Sequence, residues 1–177
     1  MNYLGRSSLL NQELLGLFCS GRCPGNLILQ TYDLAVALRD AGVAVVSGFH
    51  SPMEQECLRL LLRGQQPVVI CPARSIVRMR IPGEWREPIE SGRLLVVSPF
   101  DERHRRPTAK LAGERNRFVA ALASRVFVAH ASPGGKTEAL VAELLGQGRR
   151  VLTFDDPENR HLLDMGAEPV GPGDLPD

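Results

Sequence analysis

The sequence predicts one α/β domain of the doubly wound, Rossmann-like kind, with a mostly parallel sheet of about six to seven strands and helices on both faces. Three observations predict it. Short apolar runs of strand length recur along the chain. They alternate with longer stretches of helical periodicity. Glycine or proline punctuates most of the joints. Continuous rather than alternating apolar strands belong to a sheet covered on both faces, which is the signature of parallel α/β folds.

The elements follow in order. Leu14 to Ser20 reads as the first strand, broken at Gly21, with Pro24 suited to a first helical turn. Asn26 to Ala41 reads as a helix closed by Gly42, and Val43 to Ser47 as the second strand. Pro52 to Arg63 is a helix stopped by Gly64, and Pro67 to Cys71 the third strand. Arg74 to Gly92, interrupted by Pro82 and Pro88, reads as one or two short helices. Leu94 to Ser98 is the fourth strand, residues 101–107 a charged loop, and Thr108 to Ser124 a helix. Arg125 to His130 is the fifth strand, Thr137 to Gln147 a helix, and Arg150 to Phe154 the sixth strand. Asn159 to Met165 is a short helix stopped by Gly166. The Gly/Pro/Asp-rich tail, 171–177, is expected to fray.

With 177 residues, the chain fits a single domain spanning 1–177. A composition of 44% hydrophobic and 23% charged residues is that of a globular protein in water. No apolar run approaches the roughly 20 residues that span a bilayer, and Met1 to Gln12 has none of the features of a signal peptide. A cytoplasmic location with no membrane partner is expected. The four cysteines lack the paired short spacings of a zinc site and read as buried thiols, so neither a metal nor another cofactor is expected.

The net charge of +1 is unevenly spread: residues 155–177 carry −6 and residues 1–154 carry +7. Nearly all the bases are arginine, which suits bidentate contact with phosphate. This polarity points to an anionic partner and is compatible with a homodimer.

In an open parallel sheet, ligands bind beyond the carboxyl ends of the strands. That rule selects four places. Ser20-Gly21-Arg22 follows the first strand, where a glycine permits close backbone approach and the next helix offers free N–H groups. Ser47-Gly48 follows the second strand, with His50 beyond it as a loop histidine without an evident catalytic partner. Arg115-Asn116-Arg117 lies on a helix whose apolar face runs through Leu111, Phe118, Val119 and Leu122. Arg115 falls within that face, so it needs an acid or an anion as partner. Gly134-Gly135-Lys136-Thr137 opens a helix after the fifth strand and forms an anion cradle. It is not a P-loop, because His130 stands where that motif needs its first glycine. Arg22, Arg115 and Lys136 are expected to face one cleft. No nucleophile–base–acid set stands out, so binding is expected rather than catalysis.

Several of these segments occur in an order that resembles the DNA-processing protein A (DprA/Smf) family. They are Ser20-Gly21-Arg22, Val46-Ser47-Gly48, Ser98-Pro99, Arg115-Asn116-Arg117 continuing to Leu122, and Asn159 to Ala167. The resemblance implies a Rossmann-like domain that binds single-stranded DNA in a basic pocket, pairs through this domain, and helps load a recombinase during DNA recombination. It places Arg22, Arg115, Asn116, Arg117 and Lys136 nearest the pocket. Two departures stand out. Pro52-Met53-Glu54 replaces the family's Gly-Ile-Asp, and Glu56-Cys57 its downstream Ala-His. The family's flanking helical domains are also missing from the sequence, so a stand-alone relative is expected, to which the recombinase partner does not carry over.

Pro133-Gly134-Gly135-Lys136-Thr137-Glu138 is similar to the Pro-Gly-Gly-x-Gly-Thr-x-x-Glu loop of LOG-type (lysine-decarboxylase-like) phosphoribohydrolases, with a shortened second part. Under that alternative the ligand is a nucleoside monophosphate and Glu138 the acid. A non-catalytic nucleotide sensor uses the same pocket.

Overall fold

A computed structural model of the chain describes residues 1–171 and Asp174. Except for those two positions, the tail 171–177 lies outside the described residues.

Eight strands form one sheet. They are β1 (Asn2–Leu4), β2 (Leu15–Cys19), β3 (Val45–Ser47), β4 (Val68–Ile70), β5 (Leu94–Ser98), β6 (Arg125–His130), β7 (Val151–Phe154) and β8 (Glu168–Val170). The spatial order is β1-β5-β4-β3-β2-β6-β7-β8, and only the β1–β5 pair is antiparallel. The chain winds outward from β2 through β5, then returns to the other side of β2 to lay down β6 and β7. The switch point therefore falls between β2 and β6, where the loops leaving the two strands diverge.

Successive side chains of each strand serve different cores. Leu15, Leu17 and Cys19 of β2 face one core, with Leu27, Leu34 and Leu38 of α1 (Gly25–Asp40) and Cys57 and Leu61 of α2 (Pro52–Leu61). Phe18 of β2 and Val126 and Val128 of β6 face the other, with Val119 of α4 (Ala109–Leu122), Leu140 and Leu144 of α5 (Lys136–Gly146) and Leu162 of α6 (Arg160–Asp164). An eight-residue α3 (Gly83–Glu90), with Pro82 at its start and Pro88 in its last turn, covers β5 on the first face.

The six strands read from sequence all form, within one or two residues at each end. The two additional strands lie at the sheet edges. Each has three residues, and β8 contains Pro169, which only an edge strand accepts. Their own patterns are too short to announce them. Among the described residues no helix is long and apolar enough to cross a membrane. Cys19, Cys57 and Cys71 are buried and Cys23 half-buried, all as free thiols.

Candidate nucleic-acid interface

The carboxyl edge of the sheet is built as two halves. The first lies over β2 and β6. The β2 ladder continues past its end, where Ser20 N–H donates to the His130 carbonyl at 2.9 Å. Ser132 N–H then donates to Ser20 Oγ at 2.9 Å, tying the two loops together. The Ser20 hydroxyl is thus committed to holding the loops. Arg22, in the loop after β2, and Lys136, at the start of α5, are exposed. Gly134 adopts φ +72°, the left-handed turn that brings the chain into α5, and Gly135 occupies the cap position. The N-termini of α1 and α5 both open at this edge. Thr137 sits half-buried in the first turn of α5.

Glu138 is turned back onto its own loop. Its Oε1 accepts from Gly134 N–H at 3.0 Å, and its Oε2 lies 3.4 Å from His161 Nε2. Beneath it, Asn159 is fully buried and bridges three groups at 2.9 Å each: the Ala129 carbonyl, Thr153 Oγ1 and His130 Nδ1.

The second half lies over β3 and β4. Ser51 and Glu54 form a reciprocal capping box at the start of α2. Glu54 does more than cap. Its carboxylate accepts from Cys19 N–H (2.9 Å), His50 N–H (2.8 Å) and Ser51 N–H (3.2 Å), and so ties the end of β2 to the loop after β3. Burial pushes its pKa up, against the pull of those N–H groups and of nearby Arg115.

Arg115 comes from α4 on the opposite face and reaches over the top of the sheet. Only 4% of it is exposed. Its Nη1 donates to the Cys71 carbonyl at 3.1 Å and its Nε to Asn116 Oδ1 at 2.7 Å. Burial lowers its pKa, and the charge of Glu54 opposes that effect. Gly48 makes room for it, since an added Cβ there would overlap Nη1 and Cζ of Arg115. Gly48→Ala is therefore expected to evict the guanidinium and to cost about 1–3 kcal/mol in urea unfolding. A loss below about 0.5 kcal/mol would show that Arg115 rearranges freely. Ser47 is fully buried, and its Oγ accepts from Phe49 N–H at 3.1 Å. Phe49 itself has φ 45°, a strained value for a bulky residue.

The three cations expected in one cleft stand at different places along this edge. Arg22 is exposed beyond β2. Lys136 lines a groove of about 400 Å³ between α4 and α5, together with Asn116 and Arg117. Arg115 lines a cavity of about 170 Å³ beyond β3 and β4, together with Gly48 and His50. Arg117 is exposed and paired with Glu143 at 2.9 Å. Residue patterns pointed to Arg115 as needing a partner, and the structure supplies internal ones. The reach of Glu54 across to Cys19 was not visible in sequence, although the Ser-x-x-Glu spacing marks the capping box. Among the described residues no cluster of histidine, cysteine and acidic side chains is arranged to hold a metal.

A family model described as DNA recombination-mediator protein A matches residues 1–170. Among curated proteins, no significant match is found. Among solved structures, the DNA processing protein A from Streptococcus pneumoniae superposes with a TM-score of 0.77 at 19% identity. The match covers 95% of this chain and 62% of that one, so the chain spans less than two thirds of that relative. The DNA processing protein A from Helicobacter pylori, described for its single-stranded DNA binding mode, gives 0.77 at 17% identity, over 97% of this chain and 81% of that one. A molybdenum cofactor binding protein from Rippkaea orientalis gives 0.61 at 10% identity, over 90% and 88%. At these identities the likeness is one of fold.

Proposed function

This chain belongs to the DNA recombination-mediator protein A family, and from that premise we propose that it binds single-stranded DNA along the carboxyl edge of its sheet. The observation that carries the reading is the β2/β6 switch point. Two loops diverge there, two helix N-termini open onto it, and Arg22 and Lys136 stand exposed beside them. Free N–H groups, a positive dipole end and a nearby cation suit a phosphate. The small residues Gly21, Gly134 and Gly135 leave the backbone approachable. The relative from Helicobacter pylori binds single-stranded DNA, and this reading extends that ligand to the present chain.

Ser20, Ser47, Gly48 and Arg115 act in this scheme as positioning groups, since each is engaged inside the protein. Arg22, Lys136 and the first-turn N–H groups of α1 and α5 make the phosphate contacts. Such contacts hold the strand without reading its sequence.

The test is a salt-resolved titration of the full chain with a labelled single-stranded oligonucleotide. Affinity should fall with salt at a slope of about −0.7 per phosphate contact. The double variant Arg22→Ala, Lys136→Ala should reduce that slope by about 1.4, equally for DNA and RNA strands. Failure to bind any oligonucleotide at low salt, or binding to free nucleoside monophosphate that is as tight as to the strand, would refute the reading.

A further inference from the structure

The loops that leave β4 and β5, residues 71–82 and 99–108, build a second concave surface. The first loop carries Arg74, Arg78 and Arg80 and no acidic residue. The second carries Arg103, Arg105 and Arg106 against Asp101 and Glu102. Arg103 is paired with Asp101 at 2.6 Å. The other five are exposed. The loops are stitched to each other: Ser98 Oγ donates to the Arg74 carbonyl at 2.7 Å, and Ser75 N–H to the His104 carbonyl at 2.8 Å. Arg78 is held at φ 59°, a left-handed value that arginine rarely adopts. The arginines are thus carried on a constrained platform.

Against this platform lies the cavity of about 170 Å³ that Arg115 lines. Phe49, Pro72, Met79 and Trp85 give it apolar walls, and Arg74 also borders it. Arg74 and Arg105 in turn line an adjoining hollow of about 220 Å³ with Arg78, where three guanidinium groups face the single carboxylate of Glu102. An apolar slot with an aromatic wall lies directly beside a run of exposed cations.

We propose that this slot holds one unstacked base of a bound single strand, against Trp85 and Met79, with the flanking phosphates on Arg74, Arg78 and Arg105. The proposal rests on the reading that the chain binds single-stranded DNA. A charged surface alone would take any polyanion, and an apolar slot alone any small hydrophobe. The two side by side match a polymer that alternates flat rings with phosphates. The size suffices for a ring: a cavity of about 150 Å³ accommodates a benzene ring. The slot is thus large enough to take a flat base ring. The inner end offers the buried guanidinium of Arg115, a donor suited to a base carbonyl.

Trp85 is the only tryptophan in the chain, so its fluorescence reports on the slot alone. The test titrates the full chain with a homothymidine and a homoadenine strand of equal length. Trp85 emission is followed, and affinity is measured in parallel from a label on the strand. Both strands should quench Trp85, since stacking on an aromatic wall tolerates every base. Trp85→Ala should weaken homothymidine binding about tenfold, and Trp85→Phe, which retains packing and stacking, much less. Arg74→Ala with Arg105→Ala should reduce the salt slope by about 1.4. Suppose instead that homothymidine binds with unchanged emission, and that only Arg22→Ala and Lys136→Ala weaken it. That result overturns the slot and leaves the switch-point reading standing. No binding by either strand overturns both.

Discussion

Replacing Glu54 with alanine is expected to destabilise the fold by about 3–5 kcal/mol, the scale for removing one member of a buried charge constellation. Three backbone donors, on Cys19, His50 and Ser51, lose their acceptor at once, the first and last of them buried. Arg115 also loses the opposite charge that offsets its burial. Urea unfolding measures the loss, and a change below about 1 kcal/mol would refute the role assigned to Glu54. The pH dependence gives a second readout. Burial raises the folded-state pKa of Glu54 above its ordinary value of 4.5. Between that value and the raised one, the folded state keeps a proton the unfolded state has released. Stability contributed by this group therefore falls as pH rises through that window, and is fully present below it. The difference between wild type and Glu54→Gln should slope downward there. An upward slope would mean that the N–H groups and Arg115 outweigh burial.

Asn159→Leu is expected to lower the thermal midpoint by about 6–12 °C, equivalent to about 3 kcal/mol in a chain of this size. The shape is nearly conserved, so the effect isolates the polar groups. The Ala129 carbonyl, Thr153 Oγ1 and His130 Nδ1 would each lose a partner inside the protein. Because His130 ends β6 and Ser132 is tied to Ser20, the same change should loosen the switch-point loops. Faster amide exchange at residues 131–135 than in α1 would show this. A midpoint shift below about 2 °C would mean that water replaces the amide.

The two halves of the edge differ in how they are held. At β2/β6 the cations are exposed and the supporting bonds lie beneath them. At β3/β4 the cation itself is the support. Arg115 sits over the sheet, fills the space that Gly48 leaves, and binds the Cys71 carbonyl. Loss of oligonucleotide binding in an Arg115 variant would therefore report positioning as well as contact. The exposed arginines of the β4 and β5 loops carry no such ambiguity.

The sequence by itself determined the class of fold and the order of its central elements. A fully buried parallel strand must be apolar along its whole length, and a helix must end where glycine or proline ends it. Leu94–Val97 and Val126–Ala129 satisfy the first rule, and the strands that contain them, Leu94–Ser98 and Arg125–His130, match residue for residue. Gly42, at φ +77° after α1, satisfies the second. The sequence also marked Arg115 as a charge on an apolar face that requires a partner. Only the tertiary structure decided which partner. The Cys71 carbonyl that Arg115 binds is 44 positions away in the chain, and Glu54, whose charge opposes the effect of the arginine's burial, 61. Nothing local to either encodes their meeting over β3. The same reason hid the slot at Trp85. Its walls come from the ends of two strands, a proline-broken loop and the start of α3, and a cavity between distant segments leaves no periodicity in any one of them. Local pattern reports what a residue needs. The crossing of the chain over its own sheet decides what meets that need.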